Sequence, residues 1–168
     1  MVQAWKDNAN LYRKFGVDKA TPKKAGEYRT NGQEREVEIK LTLSELTETE
    51  TIVDDTVMLP AGALLKGIEV LTITAAATGT AIDVGLIKQT DRSTEVDYNG
   101  ILDAFVTASM NTVGEQVDYI APGGIGAGTG GPLLGTVLAF NSHISASRTT
   151  ATAFTAGDIR IRLTLMVP

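Results

Sequence analysis

The chain has no cysteine, one histidine, one tryptophan and only 5% aromatic residues. Without thiols there is no disulfide framework, no thiolate nucleophile and no thiolate metal site. With His143 as the sole imidazole, a two-histidine zinc site cannot be assembled within one subunit. A Ser-His-Asp site would have to grow out of a Thr-rich stretch that carries no nucleophile elbow. His143 therefore reads as a surface or interface side chain, which a threefold assembly would bring together with its copies. No apolar run approaches the roughly 20 residues that cross a bilayer as a helix, and the first residues lack the apolar core of a secretion signal. The expectation is a soluble protein made in a cytoplasm, with no membrane partner.

The formal net charge is −5 and the isoelectric point is near 4.9. An acidic total disfavours nucleic acid as a partner, because affinity for phosphates rests on Lys and Arg. The charge is unevenly placed. Residues 1–30 hold seven of the 15 Lys and Arg but three of the 20 Asp and Glu, so that stretch carries +4 and the remainder −9. Trp5, Tyr12, Phe15 and Tyr28 are interleaved there with cations such as Arg13, Lys14 and Arg29, and no helical or strand period links them. Aromatic and arginine side chains are the usual anchors of protein interfaces. Fully stretched, thirty residues reach about 100 Å. The reading is an extended N-terminal arm over residues 1–34 that docks on other subunits. Two other readings stay open, a segment folded back over its own sheet and a disordered one.

The remaining residues, 35–168, are about one domain long and alternate with the period of a pleated strand. Val37, Ile39, Leu41 and Leu43 alternate with Glu36, Glu38, Lys40 and Thr42. The same period returns at Ile68, Val70 and Thr72, at Ile82, Val84 and Leu86, and at Ile159, Ile161, Leu163, Leu165 and Val167. Shorter strand-like runs lie at 51–53, 57–59, 116–120 and 133–140, the last apolar enough to be buried on both faces. Turn signals separate them at Asp54-Asp55, Pro60-Ala61-Gly62, Thr78-Gly79, Asn99-Gly100 and Ala156-Gly157-Asp158. Ile101, Leu102, Phe105, Val106 and Ala108 have helical spacing behind a possible cap at Asn99, which predicts at most one short helix. Residues 142–155, rich in Thr, Ser and Ala, read as a long loop. The expected fold is all-β, an antiparallel β-sandwich of about eight strands, since parallel βαβ units need helices this sequence lacks.

Motifs for chemistry are sparse. Gly126, Gly128 and Gly131 have the GxGxxG spacing, but Pro132 follows them where a dinucleotide site needs a helix N-terminus, so residues 122–132 read as a flexible loop. No lysine follows these glycines, which removes a P-loop. Asp91, Glu95, Asp97 and Asp103 are the densest acidic stretch and the candidate calcium ligands, without the order of a dedicated calcium loop. Glu45, Glu48 and Glu50 read as a solvated turn. Sugar-binding sandwiches use exposed aromatic platforms, and this body offers only Tyr98, Phe105, Tyr119, Phe140 and Phe154. The residues thus point to no cofactor, no metal and no catalytic set, and so to a protein that is not an enzyme.

Several stretches resemble a known family. The run LYRKFGVDKATPKKAGEYRTNG at residues 11–32 resembles the N-terminus of the capsid decoration, or cement, proteins of tailed bacteriophages. VMLPAGA at 57–63 with IEV at 68–70, DVGLIKQ at 83–89, DYNGI at 97–101 and FTAGDIRIR at 154–162 extend the likeness over most of the chain, with gaps in the glycine loop. The resemblance implies a sandwich of jelly-roll type, commonly a homotrimer, seated on the exterior of the virion and bridging subunits of the major capsid protein. It implies capsid contacts first at Tyr12, Arg13, Phe15 and Gly16, to which the arm's aromatic and cationic make-up adds Trp5, Lys14, Tyr28 and Arg29, with Pro60, Gly62 and Gly85 as turn or close-packing positions. The second reading of the residues is a module on the virion or a fibre that recognises host-surface glycans with its long loops.

Overall fold

The computed structural model describes residues 4–6, 12–14, 34–119 and 129–167. The chain divides into two compact units, residues 1–32 and 33–168. In the first, β1 (Ala4–Lys6) pairs antiparallel with β2 (Tyr12–Lys14). The second contains β3 (Glu34–Thr42), β4 (Thr51–Ile52), β5 (Leu64–Thr78), β6 (Ala81–Lys88), β7 (Glu95–Val106), β8 (Gln116–Tyr119), β9 (Thr129–Gly130), β10 (Ser142–Arg148) and β11 (Phe154–Met166). Its only described helical pieces are two single 3-10 turns, at Leu43–Glu45 and Thr107–Ser109.

These strands form two sheets, ordered β4-β10-β6-β7-β9 and β3-β11-β5-β8, with every pairing antiparallel. With the two-residue β9 set aside, eight strands remain. The first pairs with the last, the second with the last but one, and the chain changes sheet in a regular order, which is the double Greek key of a jelly roll. The alternating residues explain the layering. Ile39 and Leu41 on β3, Ile68 and Val70 on β5, and Ile159, Ile161, Leu163 and Leu165 on β11 turn inward against Ile82, Val84 and Leu86 on β6 and Ile144 and Ala146 on β10. Phe105 meets Tyr119 edge to face, with ring centroids 6.4 Å apart, and so ties β7 to β8 across the layers.

Three expectations of local structure are corrected. The helical spacing at 101–108, read as at most one short helix, falls on the second half of β7 as far as Val106 and then on the 3-10 turn at Thr107–Ser109. Phe105 pairs with Ile82 and Leu102 with Val84, so three residues of β7 span two of β6. The extra residue is taken up at Ala104, whose φ is +47°, and a bulge of this kind turns a period of two into a helix-like spacing of three. The loop anticipated at 142–155 holds β10, and its signal was weak because only Ile144 and Ala146 face the core while His143, Ser145 and Ser147 line the other side. The strand anticipated at 133–140 is a series of turns in which Leu134 and Leu138 are buried but Val137 is 62% exposed. Two predicted turns also lie inside strands: Asn99-Gly100 belongs to the irregular stretch of β7, and Gly157, at φ +132°, forms a bulge in β11.

Candidate functional site

Of the residues expected to contact a capsid, Trp5, Tyr12, Arg13 and Lys14 lie on the β1–β2 pair, where the register sets Trp5 opposite Arg13, Tyr12 opposite Lys6 and Lys14 opposite Ala4. The antiparallel pairing thus sets the two basic positions that follow Tyr12 beside Ala4 and Trp5. Phe15, Gly16, Tyr28 and Arg29 fall outside the described residues, as does most of the glycine loop.

A different site, not anticipated, lies on the outer face of the five-stranded sheet. Both faces of β6 and β10 are buried. Outward-facing Asp83, Gly85 and Ile87 of β6 pair with Ser147, Ser145 and His143 of β10, and two distant segments cover them. On one side β7 leaves the regular ladder, since the partners of Val84 and Leu86, Leu102 and Asp97, have four residues between them where a regular ladder has one. Its backbone at Asp97 and Tyr98 then lies directly on Gly85, where a Cβ would overlap the Asp97 carbonyl. Only glycine permits that approach, so Gly85 is the close-packing position the resemblance implied. On the other side, β4 pairs with Ser145 and Ala146 and carries Glu50 over the sheet. The Ser145 hydroxyl donates to the Glu50 carboxylate.

Between these covers is a cavity of about 560 Å³. Glu48, Glu50, Glu95, Arg92, Tyr98 and Ser147 line it, with Ile87 beneath. Exposed Glu48, Thr49, Arg92, Ser93, Glu95 and Tyr98 form the solvent side, and Glu50, Ile87 and Ser147 the inner wall. Arg92, held at φ +55° in the turn after β6, is ion-paired to Asp55 at 2.9 Å, and Glu48 accepts from Arg148 at 3.5 Å. Glu50 and Glu95 have no cationic partner among the described residues. Glu95 accepts the Tyr98 N–H at 3.0 Å. Burial raises the pKa of Glu50, the Ser145 hydrogen bond opposes that, and the charges of Glu95, Asp97 and Asp83 add to it. Asp83 is raised in the same way by burial, against an N–H from Ala104 at 2.8 Å that pins the β7 bulge.

This arrangement corrects three readings. Glu50 is half-buried rather than part of a solvated turn. His143 is 6% exposed, and its Nδ1 lies 2.9 Å from the Val57 carbonyl, as a donor to a neighbouring loop rather than a surface group. The acidic stretch at 91–103 is dispersed. Asp91 caps its own turn by accepting from the Thr94 hydroxyl and the N–H groups of Thr94 and Ser93, which lowers its pKa to about 2. Asp97 accepts from Asn99 N–H at 3.3 Å. Among the described residues no three of His, Asp and Glu are grouped to hold a metal ion. Chemically, a carboxyl of raised pKa beside a second carboxylate suits either proton transfer or the capture of a cation. Of the five aromatic side chains of the body, Phe105, Tyr119 and Phe154 are core, while Tyr98 at the cavity is 49% exposed and Phe140 holds the Lys88 ammonium 4.2 Å above its ring.

No protein-family model matches the sequence, and no curated protein matches it. Solved structures do. A chain of the cyanophage Pam1 capsid asymmetric unit is similar with a TM-score of 0.51 at 18% identity, covering 86% of this chain and 91% of that one. A chain of the Ralstonia phage GP4 capsid is similar with a TM-score of 0.53 at 12% identity, covering 82% of this chain and 86% of that one. The chain shares its fold with proteins of phage capsids. At such identities the likeness shows the arrangement of strands.

Proposed function

We propose that the chain is a structural protein of a phage virion that decorates the outside of the capsid, bridging adjacent major-capsid subunits as a homotrimer. The observation that carries this reading is the jelly-roll likeness to the two capsid chains, which extends over more than four fifths of each partner. The sequence resemblance to cement proteins and the cationic, aromatic N-terminal unit support it. In this role Trp5, Tyr12, Arg13, Lys14, Phe15, Gly16, Tyr28 and Arg29 supply lattice contacts. The work is mechanical. A protein that binds the assembled shell and not its separate subunits stabilises the shell by linkage. Many modest contacts repeated around a threefold position combine into avidity.

Purified chain mixed with expanded shells that lack it should co-sediment with them at micromolar concentration, and removing residues 1–30 should abolish this while the β-sheet signal in circular dichroism persists. Light scattering should give the mass of three chains. Protein left in the supernatant would overturn the decoration reading, and a folded, truncated chain that still binds would move the contacts to the body. Turnover of chromogenic glycosides that disappears in Glu50→Gln would replace a mechanical role with a catalytic one.

A further inference from the structure

The cavity on the five-stranded sheet has a charge that its own surroundings do not balance. Glu50 and Glu95 come from opposite covers and meet there with no cationic partner among the described residues, and Asp97 and Asp83 add negative charge behind Glu50. Glu50 is half-buried, so its carboxylate is partly withdrawn from water without a counter-charge, which is costly, while Glu95 is exposed at the mouth of the cavity. Ser147 supplies an independent sign. It is 6% exposed, it lines the cavity, and its hydroxyl has no hydrogen-bond partner among the described residues. Its neighbour two positions back, Ser145, is spent on Glu50, so Ser147 is left as an open acceptor and donor at the cavity wall.

We propose that this cavity is a receptor for one guanidinium or ammonium side chain presented by a partner protein. Glu50 and Glu95 accept from the cationic head, and the Ser147 hydroxyl takes a further N–H. The buried Ile87 and the half-exposed ring of Tyr98 receive the aliphatic stem and the face of the cation. A bare metal ion fits less well. The volume of about 560 Å³ far exceeds the roughly 30 Å³ share of a water molecule, and the described carboxylates are not grouped as ligands. Charge complementarity also fits the acidic body, where a cation from a partner is steered by the long-range field.

The test uses the full chain with blocked probes: acetyl-Gly-Arg-Gly-amide, the same peptide with citrulline, and calcium chloride alone. The arginine peptide should give saturable NMR shifts at residues 48–50, 92–95 and 147, with a dissociation constant of about 1 mM. The shift midpoint should weaken about tenfold in the Glu50→Gln/Glu95→Gln double variant. It should weaken a few-fold (roughly 3-fold, the loss of one neutral hydrogen bond) in Ser147→Ala, and it should not move in Glu36→Gln on the opposite sheet. Equal shifts with citrulline, saturation by calcium without the peptide, or no shift at these residues would each overturn the proposal. The citrulline control reads charge on the unaltered chain, so it decides the matter even if the double variant does not fold. No shells enter this titration, and its failure and that of the decoration reading are told apart.

Discussion

The two outer faces of the sandwich solve the same problem in opposite ways. On the four-stranded sheet, Arg162 of β11 lies opposite Glu38 of β3 and Glu69 of β5 and contacts them at 3.2 and 3.1 Å. Arg160 reaches Glu38 at 3.2 Å, and Lys40 reaches Asp158 at 3.4 Å. Every strand there spends one face on water, and the charges are matched by nearest cross-strand neighbours. On the five-stranded sheet the central strands face inward on both sides, beneath segments from residues 48–50 and 97–98. The first face is finished by ion pairs between adjacent strands and left to water. The second is finished by segments that fold over it, and its charges are left to meet something else.

The largest break in that contrast is expected at Gly85. Gly85→Ala should push the Asp97–Tyr98 backbone off the sheet and cost about 2 kcal/mol or more in urea unfolding. A cost below about 0.5 kcal/mol would mean the cover is loose and the contrast false. Next comes Asp83→Ala, which strands the Ala104 N–H in the bulge; about 1–2 kcal/mol is expected, with loss of slow amide exchange confined to β7.

A third test uses pH. The folded-state pKa of Glu50 and Asp83 is raised, so protonating them favours the fold. Stability should rise as pH falls from 7 towards the ordinary carboxylate range. Asp91, at about 2, and Asp158, lowered by hydrogen bonds from Thr42 and Thr74 and by Lys40, act the other way. Their contribution is present above their unfolded pKa of 3.8 and is lost as pH falls below it towards their folded values. The melting temperature should therefore pass through a maximum at mildly acid pH, and Glu50→Gln should flatten its neutral limb. An unchanged limb in that variant would remove Glu50 from the account. The smallest effect is expected at Arg162→Ala. Its shift in melting temperature should fall well below that of Gly85→Ala and shrink further in about 0.5 M salt, where exposed pairs are screened.

Much of the sandwich was legible in the sequence because inward and outward residues alternate wherever a strand has one wet face. β3, β5 and β11 were read from Ile39, Val70 and Ile161 and their neighbours. β10 was missed because its outward residues, His143, Ser145 and Ser147, carry no hydrophobic signal and are buried by residues nearly fifty positions away or more. The helix anticipated at 101–108 arose from the bulge at Ala104, whose left-handed φ no propensity for alanine announces. The cavity was invisible for a similar reason. Glu50 looked like one of three turn glutamates, and nothing local to it specifies Ser145.

The sequence by itself determined the strands with a solvated face, the surplus of cations in the first thirty residues and the exclusion of thiol chemistry, since these follow from nearest neighbours and composition. Only the tertiary structure decided which serines are buried, where β7 leaves its ladder and which carboxylates meet across the cavity. Those outcomes rest on contacts between segments far apart along the chain, whose cost and gain appear only once the sheets have formed.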